Sequence, residues 1–110
     1  MSNLLGQKCV PCDGGIPPYT AEQTAAHLKE LKNPWEVVDG GKMIKHEFKF
    51  KKFTDSIAFV DKVAILAEKE GHHPDFHIFY NKVTIELTTH TIKGLSLNDF
   101  ILAAKIETIA

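Results

Sequence analysis

Residues 70–76 read EGHHPDF, with two adjacent histidines, His72 and His73, the second locked in front of a proline. Histidine, with an ordinary pKa of about 6.5, can both take and give a proton near neutrality. Two such rings in a loop suit proton transfer or metal ligation. Gly71 is a natural helix stop, which puts His72 and His73 just past a helix C-terminus. The negative end of the helix dipole favours positive charge at that point. Pro74 pushes His73 into an extended conformation, so the two rings should diverge rather than stack. Glu68, four residues before His72, can reach the loop from the last helical turn and accept an N–H from one imidazole.

A third histidine, His90, comes within reach through a hairpin. A strand starting near Phe76 turns at Asn81-Lys82 and returns through Val83, Ile85 and Leu87, ending at His90. Pairing the two strands brings position 90 towards the level of residues 73–75. Glu68, His72 and His90 are ligand types that suit zinc or iron, but their spacing matches no motif of the H-E-x-x-H kind. The remaining histidines have plainer readings. His27 lies off the apolar stripe of its helix and should be solvated, His46 should be a hydrogen-bonded core residue, and His77 an ordinary strand residue.

The elements that must hold these rings follow from periodicity. Thr20 and Gln23 make a T-x-x-Q capping box for a first helix with Ala21, Ala25, Leu28 and Leu31 on one face, stopped at Asn33-Pro34. A short strand, 35–38, and a turn at Asp39-Gly40-Gly41 lead into an alternating strand whose buried parity is Ile44, His46, Phe48 and Phe50. Thr54 can cap a second helix with Ile57, Val60, Val63/Ala64 and Ala67 inward. Ser96 can cap a third, with Asp99 at its third position. The order α-β-β-α-β-β-α predicts an α+β fold: a four-stranded, mainly antiparallel sheet with helices over its apolar face.

At 110 residues the chain is one domain, read here as an irregular arm over 1–18 and a single folded unit over 19–110. A formal net charge of −1 makes no electrostatic case for nucleic acid or an anionic membrane. No apolar run approaches a membrane span, and the N-terminus lacks a secretory pattern, so a cytoplasmic location is expected. Cys9 and Cys12 form a lone C-x-x-C in the Gly/Pro-rich arm. They read as two reduced thiols at the surface rather than as a redox pair or half a zinc site.

The stretches EKEGHHPDF, YNKV, THT and GLSxxD together resemble the pterin-4a-carbinolamine dehydratases, also known as dimerisation cofactors of a homeodomain transcription factor. The likeness runs over about residues 19–110. It implies a four-stranded antiparallel sheet with three helices on one face. It puts the family's three active-site histidines on His72, His73 and His90, and its supporting glutamate and aspartate on Glu68 and Asp99. Pro74 and Phe76 fall among the supporting or substrate-binding positions, with Phe76 standing where family members commonly have Trp. The implied reaction removes water from a 4a-hydroxytetrahydropterin, in tetrahydrobiopterin recycling, to give quinonoid dihydropterin. Two imidazoles can supply the acid and the base without metal or cofactor. The resemblance also implies self-association as dimers or tetramers and allows a helical protein partner or, in a paralogue, another pterin.

Overall fold

The computed structural model describes residues 4–10 and 15–110, so Cys12 lies outside the described residues. The chain forms α1 (Ala21–Leu28), β1 (Glu36–Val38), β2 (Met43–Lys49), α2 (Phe53–Glu70), β3 (Asp75–Phe79), β4 (Lys82–Leu87) and α3 (Leu97–Glu107), with short 3-10 turns at Leu4–Gly6, Asp39–Gly41 and His90–Ile92. The four strands make one antiparallel sheet in the order β1-β2-β4-β3. This is the expected α+β architecture.

Period-2 alternation builds the sheet's inner face. Ile44 stands opposite Leu87, and Phe48 opposite Val83, all four buried, while Lys45, Glu47, Thr84 and Glu86 take the other parity. Helices close over the apolar face, with Phe59 and Val63 of α2 and Phe100, Ile101 and Ile106 of α3 joining the same cluster. Fully burying each such side chain stabilises the fold by about 1.5–3 kcal/mol. The buried stripe of α2 is Ser56, Phe59, Val63 and Ala67. Val63 and Ala67 are the expected inward positions, but Ala64 faces out, because the stripe is centred on Phe59, Val63 and Ala67 and the next residue is turned about 100° away from it. Lys52 is the extended residue before the first turn, and Phe53 is the first helical residue.

Both capping boxes form at α1 and α3. Thr20 Oγ1 accepts from Gln23 N at 3.2 Å, and Ser96 N donates to Asp99 Oδ2 at 3.0 Å. On α1, however, Ala21 and Ala25 are exposed and the buried position is Thr24. His27 is not solvated as expected: its ring stacks on Tyr19 at 5.3 Å, meets Phe100 at 5.2 Å in a three-ring cluster, and bonds Glu30. An amphipathic imidazole can cover apolar rings with its face while its edge stays polar, which an aliphatic stripe count overlooks.

Two glycines fix the loops around the candidate site. Gly71 ends α2 in the left-handed region at φ 70°, its N–H bonding Ala67 O at 2.9 Å. Gly94 allows a close approach: a Cβ there would lie 2.5 Å from Pro18 Cβ. The hydrogen bond from Tyr19 N to Leu95 O, 2.8 Å, lies beside it.

The N-terminal arm is more structured than its composition predicts. Leu4 is buried in the main core, and Cys9, expected at the surface, is only 5% exposed. Burial, reinforced by the neighbouring Glu70 carboxylate, pushes the Cys9 thiol up to about 12. Glu70 itself is nearly enclosed. Burial works to raise its pKa, but bonds from Lys105 Nζ and Cys9 N, both 2.8 Å, together with the Lys105 and Lys8 charges, outweigh that and hold the carboxyl below its usual range. Among the described residues no helix is long and apolar enough to cross a membrane.

Candidate active site

The α2–β3 loop carries His72 and His73, and the β4–α3 connection carries His90. The β3–β4 register pairs Asp75 with Glu86; extended past the strand ends, it brings Thr88–His90 level with Gly71–His73. Strand β4 stops at Leu87, three residues short of the expected end. Thr88 Oγ1 donates to Lys42 O, while Thr89 and Gly94 exchange backbone bonds of 2.9 and 3.4 Å. Lys93 closes this tight loop in the left-handed region at φ 54°. His90 therefore rises on a 3-10 turn rather than lying flat on a strand. The result is an open cleft of about 240 Å³ lined by His72, His73 and His90, with Thr89, Asn98 and Val10 among the other walls.

The three rings have different surroundings. His72 is largely enclosed, its side chain 12% exposed, and Nε2 lies 2.6 Å from Asp99 Oδ1. Asp99 is fully buried and uses both oxygens: Oδ2 accepts from Thr89 Oγ1 at 2.8 Å and from Ser96 N at 3.0 Å. Its helix-capping position thus also holds a histidine. A carboxylate that accepts at one oxygen from fixed donors can orient an imidazole at the other. His73 Nε2 pairs with Glu68 Oε2 where both side chains face solvent. Glu68 therefore serves His73, five residues on, since the left-handed turn at Gly71 and extended chain before Pro74 carry that ring back over the helix end. His90 is exposed, its ring free to meet a bound molecule.

Not every expected residue reaches the cleft. Pro74 is buried beneath the loop rather than in the cleft wall, and Phe76 packs against the core. Phe76 stands opposite Ile85, on the sheet's inner parity, which turns its ring from the cleft. Glu68, His72 and His90 do not meet as a ligand set, and among the described residues no three His, Cys, Asp or Glu side chains converge as a metal site. Asn98 and Val10 were missed. The signal for Asn98 was its place beside Asp99 in the first turn of α3; Val10 is brought in only by the docking of the arm.

Comparison with known proteins decides the family. Residues 17–109 match the pattern of the pterin 4 alpha carbinolamine dehydratase family. The chain belongs to that family. A relative from Alkaliphilus metalliredigens bearing the pterin-4-alpha-carbinolamine dehydratase name is 41% identical over 107 residues, covering 97% of this chain and 96% of its own. One from Rickettsia canadensis with the same name is 44% identical, covering 97% of each chain. Among solved structures, the transcriptional coactivator/pterin dehydratase from Brucella melitensis superposes with a TM-score of 0.79 at 35% identity, over 84% of this chain and 98% of that one. A pterin dehydratase-like RuBisCO assembly factor of the alpha-carboxysome gives 0.63 at 25% identity, over 72% and 92%. In this member of the family the histidine cleft lies at the end of the β3–β4 hairpin, beside the first turn of α3.

Proposed function

We propose that the dehydratase reaction runs by histidine general acid–base catalysis in this cleft, with His72 and His90 as the proton-transfer pair and His73 positioning the pterin. The supporting observation is the convergence of three imidazoles, from two segments of the chain, on one open cleft. In the reaction the C4a–O bond of a 4a-hydroxytetrahydropterin breaks and the N5 proton departs. Hydroxide leaves poorly, so one imidazolium gives it a proton, forming water, while a neutral imidazole takes the proton from N5. The products are quinonoid dihydropterin and water, with no change in oxidation state. Each positioned proton transfer contributes about 10²–10⁴-fold. His72, braced by buried Asp99, is fixed before substrate arrives; His90, exposed at the rim, is free to adjust to it. The place of the reaction is in recycling tetrahydrobiopterin after an aromatic amino acid hydroxylase.

Stopped-flow absorbance on freshly generated 4a-hydroxytetrahydropterin tests this. Quinonoid dihydropterin should form at least about a hundredfold faster with the protein at saturating substrate than without it. No acceleration refutes the reading.

A homo-oligomer, dimers pairing into tetramers, is part of the same proposal. β3 is an edge strand, and Ile78 and Phe79 along it and Tyr80 in the turn just after it are exposed. An open edge with apolar side chains favours pairing with another strand. Light scattering should give a mass above the 12.3 kDa of one chain; a monomer at working concentration refutes this part. The coactivator name carried by the Brucella neighbour supports a second reading, a site for a helical protein partner. A complex with a helical peptide, formed by protein without dehydratase activity, favours it.

A further inference from the structure

The arm that precedes the family's matched region has no part in the mechanism above, yet it reaches the cleft. Its course is set by several independent anchors. Leu4 is buried in the core. Lys8 Nζ donates to Lys69 O at 2.9 Å, and Cys9 N to Glu70 Oε1 at 2.8 Å, at the end of α2. Asn98 then reads the backbone of Val10 in both directions. Val10 N donates to Asn98 Oδ1 at 3.0 Å, and Asn98 Nδ2 donates to Val10 O at 2.7 Å. Asn98 is itself buried, so its amide can satisfy both groups only with the arm docked.

This clamp presents an isopropyl group, 65% exposed, in the wall of a cleft whose other lining is mainly imidazole and threonine. An aliphatic side chain left open beside three histidines is suited to the face of a flat heterocycle, which the polar walls can meet only at its edges. We propose that the arm is part of the substrate-binding site: Val10 packs on the ring of the bound pterin, and Asn98 is the positioning residue that holds it there. The inference rests on the dehydratase reading. It adds a wall supplied from outside residues 17–109, the span of the family match.

The test is Val10→Ser, Val10→Ile and Asn98→Ala in the full chain. Two quantities are read: steady-state kinetics on 4a-hydroxytetrahydropterin, and the Kd of a fluorescent oxidised pterin. Loss of one apolar contact in a binding site costs roughly tenfold. Val10→Ser should raise KM and Kd about tenfold with kcat within about twofold, since no proton-transfer group is touched. Val10→Ile keeps a branched aliphatic group in the wall and should perturb KM and Kd less than Val10→Ser does. Asn98→Ala should raise KM similarly, and adding Val10→Ser to it should have little further effect, because both changes remove the same wall. A thermal melt shows whether each variant is folded. KM and Kd unchanged in folded Val10→Ser, or a fall in kcat alone, overturns the inference while the dehydratase reading stands. A wild-type protein that neither turns over nor binds a pterin overturns both. If it binds pterin without turnover, the Kd comparison still decides the role of Val10.

Discussion

Replacing Asp99 by Asn probes the pair that braces His72. Two donors, Thr89 Oγ1 and Ser96 N, converge on Oδ2, and one ring nitrogen faces Oδ1. An asparagine has a single acceptor oxygen. Its oxygen will turn toward the two converging donors, so its NH₂ must face His72 Nε2. That nitrogen then has to accept rather than donate, and the ring proton moves to Nδ1, the opposite tautomer. The charge-assisted bond lost is worth about 1.5–3 kcal/mol. For a domain of this length, a loss of about 2 kcal/mol lowers Tm by roughly 9 °C. The rate should fall further than stability alone explains. With the wrong tautomer at the proposed proton-transfer group, kcat should drop about a hundredfold at 25 °C, where the variant is still folded. Glu107→Ala is the control. Glu107 accepts from Lys32 N, Asn33 N and Trp35 Nε1 at 2.7–2.9 Å, at the opposite end of α3 from Asp99 and outside the lining of the cleft, and its loss should also cost about 2 kcal/mol. Calorimetry and kinetics on both variants decide the matter. If Asp99→Asn melts early but keeps kcat within threefold of wild type, as Glu107→Ala should, Asp99 is only a helix cap and the bracing of His72 is refuted.

Other perturbations follow from the same geometry. His90→Ala should lower kcat by at least an order of magnitude if this ring transfers a proton, with Tm nearly unchanged because it is exposed; a near-wild-type rate rejects its assignment. Cys9, buried and with its thiol pushed up to about 12, should resist iodoacetamide at pH 8 in the folded protein and react only on unfolding; site-resolved mass spectrometry showing rapid labelling of native protein would contradict that. His46, packed against the Trp35 and Phe48 rings, has its pKa lowered, chiefly by burial. The unfolded chain therefore takes up this proton first, and the stability His46 contributes is full above about pH 6.5 and is lost as pH falls through the lower folded value. A ring C–H titration by NMR should place His46 below free histidine; a midpoint at or above 6.5 excludes this source of acid sensitivity.

Local patterns were enough to specify the elements and the loops that carry the histidines. Alternation at Ile44/Phe48 and Val83/Ile85/Leu87, the capping pairs at Thr20 and Ser96, and the stop at Gly71 depend on contacts between residues close along the chain. The neighbourhood of His72, His73 and His90 was legible for the same reason, since a tight hairpin preserves register over a few residues. The sequence did not show which carboxylate serves which ring. Glu68 lies four residues from His72 but pairs with His73, and Asp99, twenty-seven residues away, takes His72. Those choices turn on the left-handed bend at Gly71 and on how α3 docks against the loop, both set by packing between distant segments. The same holds for the inward turn of Phe76, for the clustering of His27 with Tyr19 and Phe100, and for the burial of Leu4, Cys9 and Asn98. A Gly- and Pro-rich arm carries no periodicity to read. Its path depends on side-chain amides and carboxylates up to about ninety positions away, and only the folded chain brings them to it.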